Sequence, residues 1–398
     1  MKNLENYKIN NKKVLFRADL NVPVVNNIIT DESRILAIKS SIKKLISNNN
    51  KVFIVTHFGR PQGRVEEKYS LKFILPSLIK ILELEKIHFL NGIDNQLIDK
   101  KINEMESGEV CLIENIRFYK EEENIDLTFA KSLTTLFDVY VNDAFSASHR
   151  NHTSITGFTK YIPAVAGNQL IKEINTINTF LENSKKPNMA IVGGSKISTK
   201  IKLLNNLVEQ FSAIVIGGAM ANTFLLANNM YIGNSLAEEN LISEAINIQT
   251  EASKLNCKII LPSDVVCGKN IKDKNPINCN VNEVPSDSMI LDLGSETIQI
   301  INDQIINSKM VLWNGPVGAF EFTPYNTATN AIAEIFKSNA KKLKIDTLAG
   351  GGDTVSAIKN ANAEEGFNYI SNAGGAFLEW LEGSESPGVI ALKKNKLN

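Results

Sequence analysis

The stretch Leu348-Ala349-Gly350-Gly351-Gly352-Asp353-Thr354-Val355-Ser356-Ala357-Ile358-Lys359 reads as the end of a buried strand, a turn built from glycine, and the start of a helix opened by an acid and a hydroxyl. Consecutive glycines remove every Cβ that would hold a ligand off the backbone, and they leave N–H groups free at the positive end of a helix. Such a turn can cradle phosphate, or it can simply pack strand against helix. The carboxylate of Asp353 narrows the first option, because it would repel bare phosphates unless a divalent cation lay between them. The stretch therefore reads as a metal-nucleotide site with Asp353 as the metal ligand.

Working outward, the second half of the chain repeats the strand-then-glycine pattern at Met189 to Gly194, Ala213 to Gly218, Met310 to Gly315 and Tyr369 to Gly375. That recurrence predicts a doubly wound parallel sheet. None of these turns has the Gly-Lys-Ser/Thr ending of a phosphate loop, and none has the Gly-x-Gly-x-x-Gly dinucleotide fingerprint. The first unit continues Gly193-Gly194-Ser195-Lys196-Ile197-Ser198-Thr199-Lys200, where a helical reading places Lys196 and Lys200 on one face. Both would then point where the helix N-terminus points, with an anion between them, or both would be solvated surface.

In the first half, apolar runs at Val14 to Phe16, Val52 to Val55, Ile87 to Leu90, Val110 to Ile113 and Val139 to Val141 alternate with helical patterns such as Ser33 to Ile46. The residues just past each strand matter most, since ligands of open α/β sheets sit beyond the carboxyl ends of the strands. Asp19 and Asn21 come after the first; His57, Gly59 and Arg60 after the second; Glu114, Asn115 and Arg117 after the fourth; Asn142, Asp143, His149, Arg150 and His152 after the fifth. Arg34 opens its helix on the same side. Arginine is the telling residue: the chain has six, all within its first 150 residues, against 37 lysines. A chain that otherwise uses lysine for charge keeps arginine where a planar fork must grip carboxylate or phosphate. The convergence predicts a small-polyanion site.

The 398 residues balance 43 basic against 43 acidic side chains, so net charge argues for neither a nucleic-acid nor a membrane partner. The N-terminus lacks the apolar run of a signal peptide, and the expected address is the cytoplasm. Cys111, Cys257, Cys267 and Cys279 have neither metal-like nor redox-like spacing and are expected to be reduced packing thiols.

Together these residues resemble the phosphoglycerate kinase family over essentially the whole chain. The carrying motifs are Arg17-Ala18-Asp19-Leu20-Asn21-Val22-Pro23, His57-Phe58-Gly59-Arg60-Pro61, Glu114-Asn115-Ile116-Arg117-Phe118, Asn142-Asp143-Ala144-Phe145 with His149-Arg150, Gly193 to Lys200, Trp313-Asn314-Gly315-Pro316-Val317-Gly318, and Gly350 to Thr354. The resemblance implies an α/β chain of two Rossmann-like, doubly wound parallel-sheet domains joined by a helix and hinge. Residues 1–168 would form the first, with 380–398 returning to it, and residues 169–379 the second, including a connector helix at 169–185. Ser386-Pro387-Gly388 would make the turn before the return of Val389 to Leu392, with Lys393 to Asn398 a loose tail.

The resemblance further implies that Asp19, Asn21, Arg34, His57, Phe58, Gly59, Arg60, Arg117 and Arg150 hold 3-phosphoglycerate or its acyl phosphate, 1,3-bisphosphoglycerate. ADP or ATP, carried with Mg2+, would lie against Lys200, Asn314, Pro316, Val317, Gly351, Gly352, Asp353 and Thr354, its ribose at Glu321 and its adenine in a slot bordered by Gly217, Gly218 and Gly294. Arg34 and Lys200, helped by Lys196 and by N–H groups near Gly351 and Gly374, would offset charge on the transferring phosphoryl group. Neither a carboxylate nor a phosphate nucleophile needs a general base at neutral pH. The expected molecule is a monomer that closes about its connector. A nicotinamide dehydrogenase would lack its fingerprint here, and a non-catalytic nucleotide-binding scaffold would leave the arginine cluster unexplained. Against the family pattern, Asn372-Ala373-Gly374-Gly375-Ala376 stands where a threonine and three glycines are usual, Ser295 for a proline, Phe58 for a leucine and Ser146 for a glycine.

Overall fold

The computed structural model describes residues 1–26 and 28–397. The chain divides into two compact units, Met1–Asn175 with Glu385–Asn398, and Thr176–Ser384. Asn398, the last residue of the expected tail, lies outside the described residues.

In the first unit, β1 (Lys13–Arg17) is followed by a small hairpin of β2 (Val24–Val25) and β3 (Ile28–Ile29), then by β4 (Lys51–Val55), β5 (His88–Leu90), β6 (Val110–Ile113), β7 (Val139–Asn142) and β8 (Ala164–Ala166). Apart from the hairpin these form one sheet in the order β5-β6-β4-β1-β7-β8, every pair parallel. Helices cover both faces, so the central strands are buried along nearly their whole length and read in sequence as continuous apolar runs. The expected helix Ser33 to Ile46 is two helices, Ser33–Ala37 and Lys39–Ser47, and its stripe of Ile35, Ile38, Ile42 and Leu45 stays buried across the break.

The second unit contains β9 (Asn188–Val192), β10 (Ala213–Ile216), β11 (Lys258–Ile260), β12 (Asp264–Gly268), β13 (Ile277–Asn280), β14 (Met289–Leu293), β15 (Met310–Asn314), β16 (Asp346–Gly350) and β17 (Tyr369–Ser371). Six of them form a parallel sheet in the order β11-β10-β9-β15-β16-β17, the doubly wound order whose strand connections reverse direction between β9 and β15. The other three, β13-β12-β14, form a separate antiparallel sheet. Trp313, fully buried on β15, stacks on Phe336 at 5.6 Å between ring centres, and Phe336 meets Phe367 at 4.8 Å.

The division falls at 175, inside the helix Asn168–Glu182, rather than before it at 168. The start of that helix is tied into the first unit: the Asn168 N–H donates to Ser41 Oγ at 2.9 Å and the Leu170 N–H to Asp143 Oδ1 at 3.0 Å. Its later turns belong to the second unit, where Trp380 Nε1 donates to Asn178 Oδ1 at 2.7 Å. The return begins at Glu385 rather than 380, because the helix Gly375–Leu381 continues the second unit and its Leu381 carbonyl accepts from Asn206. The expected loose tail is not loose up to Asn395. Pro387–Lys394 is a helix, and the Asn395 side chain donates to the carbonyls of Thr159 (2.6 Å) and Ile162 (3.1 Å) while accepting from the Ala164 N–H (3.0 Å).

Candidate functional site

In the first unit the connections reverse on either side of β1, and the residues just past β1, β4 and β7 gather there. Asp19 is buried, and three groups converge on its carboxylate. Arg34 and the Ser146 hydroxyl both donate to Oδ2, and the Asn21 N–H donates to Oδ1 at 3.1 Å. Burial opposes charge on Asp19, yet Arg34, His57 and Ser146 together hold its pKa well below the usual carboxylate range. Asn21 Oδ1 accepts the Gly59 N–H at 2.9 Å, and the Gly59 carbonyl accepts from Arg117 Nη1 at 2.8 Å. Gly59 has φ +62°, and a Cβ there would fall 2.4 Å from the Tyr69 ring. Glycine is required to bring this backbone between Asn21 and Arg117.

The cations crowd one another. Burial and neighbouring Arg150 bring Arg117 down to about 10. Burial and Arg60 likewise lower Arg150, opposed in part by Asp19. Burial puts His57 well below an ordinary imidazole, with Asp19 pulling the other way and Arg17, Arg117 and Arg150 reinforcing the shift. Positive charge held this close is relieved by a bound anion.

Several strand-end polar groups brace the structure instead. The Glu114 carboxylate accepts from Ser70 Oγ, the Leu71 N–H and the Asn115 N–H, and the Asn115 amide clamps the backbone of Phe58. Asn142 accepts from the Ala144 N–H, and Asp143 caps the helix Asn168–Glu182. The Phe58 ring packs on Phe73 at 4.9 Å, so this residue reaches the cluster through its main chain.

In the second unit a cavity of about 860 Å3 opens beyond the ends of β9 and β15, where the strand connections reverse direction. Two glycine turns interlock there: a Cβ on Gly193 would lie 1.9 Å from the Pro316 carbonyl oxygen, and one on Gly315 (φ +98°) 2.2 Å from that of Gly193. Lys200, 9% exposed, donates to Asn314 Oδ1, while Asn314 Nδ2 donates to the Gly350 carbonyl at 2.7 Å. Burial brings the Lys200 ammonium down to about 8, against the opposing pull of Glu382 and Asp353. Gly351 (φ +102°) precedes the helix Gly352–Asn360, and Thr354 Oγ1 accepts the Gly315 N–H at 2.7 Å. The buried Trp313 indole donates to the Gly315 carbonyl at 2.8 Å, fixing the turn from below.

Lys200, Gly218, Asn314, Pro316, Val317, Glu321, Gly351, Gly352, Asp353 and Thr354 all line this cavity. Four expected residues do not. Gly217 sits under Val317, 2.7 Å from it when given a Cβ. Gly294 caps the helix Ser295–Ile306, with Asp264 against it. Gly374 opens a different helix, Gly375–Leu381. Lys196 is exposed, and its expected pairing with Lys200 on one helix face is wrong: Lys196 is extended, Ile197–Thr199 form a 3-10 turn, and the α-helix begins only at Ile201.

The family model for phosphoglycerate kinase matches residues 4–384 of the chain. The chain belongs to the phosphoglycerate kinase family. Relatives named phosphoglycerate kinase include one from Sinorhizobium fredii, 42% identical over 97% of this chain and 96% of its own, and one from Brucella abortus, 43% identical over 98% and 99%. Among solved structures, phosphoglycerate kinase from Coxiella burnetii aligns with a TM-score of 0.84 at 35% identity, covering 98% of this chain and 97% of its own. The enzyme from Pyrococcus horikoshii aligns at 0.83 and 26% identity, covering 99% and 98%.

Two departures from the family pattern are explained by the geometry. Ala373 does not have a positive φ, which in this turn is confined to Gly374, so a side chain at 373 costs no strain. Ser295 needs no proline, because Asp264 already accepts the Glu296 and Thr297 N–H groups at that helix start. Sequence reading passed over Ser154 and Glu122, and it noted Ser146 only as a departure from the family pattern, without its bond to Asp19. Ser146 meets Asp19, Ser154 meets Arg17 and Glu122 holds Ser154, each across a large sequence separation with no local signal to mark it.

Proposed function

We propose that the chain catalyses reversible, magnesium-dependent phosphoryl transfer from 1,3-bisphosphoglycerate to ADP, giving 3-phosphoglycerate and ATP. The observation that carries this reading is the crowding of Arg60, Arg117 and Arg150 around Asp19, Asn21 and His57, a cluster whose like charges call for a small polyanion. Family membership names that polyanion. In the other unit, the cavity joins a partly buried lysine to a glycine-rich helix start, which suits nucleotide phosphates.

Asp353, exposed in the first turn of its helix, fits a magnesium ion that arrives with the nucleotide. Among the described residues no group of three or more His, Cys, Asp or Glu could hold a metal by itself, which suits an ion bound mainly by phosphate oxygens with one protein carboxylate. Such an ion would offset phosphate charge. The chain's own residues do the rest. Lys200, held by Asn314, places its ammonium beside the phosphates, and the N–H groups at Gly351 and Gly352 face the same anions. Arg34 is kept in reach by Asp19 and supplies a fork to the phosphoglycerate side. No general base is needed, because both nucleophiles are already ionised. Closure about the connector, a monomeric state and a cytoplasmic address belong to the same proposal. Among the described residues no helix is long and apolar enough to cross a membrane.

The test is ATP formation when the purified chain is mixed with ADP and 1,3-bisphosphoglycerate, with and without magnesium. Rapid, metal-dependent ATP production is expected. Retained ADP binding with no ATP formed would replace the kinase reading with that of a nucleotide-binding scaffold.

A further inference from the structure

Arg17 is fully buried at the end of β1, and its charge is not spent on the anion cluster directly. Its three donor edges go elsewhere. Nη1 donates to the Ala18 carbonyl, Nε donates to Ser154 Oγ at 2.8 Å, and Nη2 lies 3.2 Å from Nδ1 of His57. Ser154 is held in turn by the fully buried Glu122, whose carboxyl accepts the Ser154 hydroxyl at 2.7 Å and the Ser154 N–H at 2.9 Å.

The direction of each hydrogen bond in this chain is forced. With its hydroxyl proton given to Glu122, Ser154 Oγ has only lone pairs for Arg17 Nε–H. A guanidinium can only donate, so the imidazole nitrogen facing it must accept. His57 Nδ1 therefore carries no proton, and the ring proton resides on Nε2. Protonating both nitrogens would set two donors against each other in a buried contact. The groups facing His57 agree: Arg17, Arg117 and Arg150 disfavour a further positive charge, with Asp19 as the opposing acid.

We propose that Arg17, aligned by Ser154 and Glu122, is a positioning residue that holds His57 as the neutral tautomer with its proton on Nε2. The anion cluster then contains one neutral hydrogen-bond donor among its cations. A neutral donor adds direction toward a substrate oxygen without adding charge that must be screened when the site is empty. This rests on the phosphoglycerate reading of the cluster for its purpose, but not for its geometry.

The test is a long-range 1H–15N spectrum of the full chain labelled at histidine, without ligand, with the His57 signals assigned from their loss in His57→Gln. His57 is expected to show the neutral Nε2–H form throughout about pH 6 to 8, the span in which an ordinary imidazole titrates. An imidazolium signal, or the Nδ1–H tautomer, would overturn the proposal. Ser154→Ala cuts the bond that aligns the guanidinium, and is expected to bring in the second tautomer or protonation within that span. It should also weaken 3-phosphoglycerate binding by about tenfold. An unchanged spectrum in folded Ser154→Ala would equally defeat the proposal, since a merely structural role for Arg17 would leave the tautomer alone. If that variant does not fold, the wild-type spectrum decides. Because the spectrum needs no ligand, a correct tautomer in a chain that fails to bind 3-phosphoglycerate would count against the functional reading and leave this one standing.

Discussion

Lys200 carries its charge in the folded chain below about pH 8 and loses it as pH rises through that value, because burial disfavours the ammonium. The unfolded chain keeps the same proton up to its ordinary value of 10.5, so between about pH 8 and that value the unfolded state binds more protons and this residue makes stability rise with pH. Nucleotide affinity should run the other way. The dissociation constant for ADP is expected to increase as pH passes about 8, and Lys200→Arg, whose charge persists, should flatten that increase. Calorimetric titration across this range checks it, and an equal slope in both proteins would remove Lys200 from phosphate contact. Arg34→Ala and Lys200→Ala are each expected to lower turnover by about a hundredfold or more with the circular dichroism unchanged. Near-normal turnover in either would take that residue out of the reaction. At this scale the sequence was a good guide where a residue type is rare, as with arginine. It was a poor one where a role depends on a partner far along the chain, as Ser146 does on Asp19 or Ser154 on Arg17.

Among the elements, the glycine turns after β9 and β15 leave the least room. Gly193→Ala would press a methyl group into the Pro316 carbonyl, and Gly315→Ala would add a strained φ as well. Each is expected to abolish ADP binding, measured by equilibrium dialysis, while 3-phosphoglycerate still binds the other unit. Ala373→Gly should do little to catalysis. Its backbone is not in the left-handed region, so the change is expected to cost up to about 1 kcal/mol of stability through chain entropy and to leave turnover as it was. A large gain in activity would show that the turn is strained after all. Most of the parallel strands were legible because sheets covered on both faces demand unbroken apolar runs, but the edge strands β8 and β11, three residues each, were not read from the sequence. The sheet of β12, β13 and β14 was not, since Ile277-Asn278-Cys279-Asn280 is short, polar and largely exposed. Lys196 and Lys200 misled for a related reason: spacing gives a helical face only once the helix has begun, and here it begins one residue after Lys200.

For the whole molecule, two units with separate cores, and on the proposed function separate ligands, should respond separately to each ligand. In scanning calorimetry, a ligand at about a hundred times its dissociation constant stabilises the unit that binds it by about 2.7 kcal/mol. 3-Phosphoglycerate is expected to raise the transition of the first unit and MgADP that of the second. Asn395→Ala, which removes three hydrogen bonds, should lower the first transition alone. A shift of both transitions by that one change would mean that the units do not melt separately. The return of the C-terminal segment followed from the family resemblance and not from Ser386-Pro387-Gly388, which is no turn but the cap and first residues of the helix Pro387–Lys394; its last anchor, a single asparagine among many, carried no signal.

That return orders events during synthesis. The second unit is one continuous stretch and has all its residues once Ser384 has left the ribosome, although it is translated later. The first unit must wait. Gly388, whose N–H donates to the Ser148 carbonyl at 2.9 Å and whose Cα sits against Ser148 and Ile155, braces the loop that carries Arg150. A ribosome that has made residues 1–175 has therefore made every cation of the anion cluster, but the brace beneath one of them is encoded more than two hundred codons downstream.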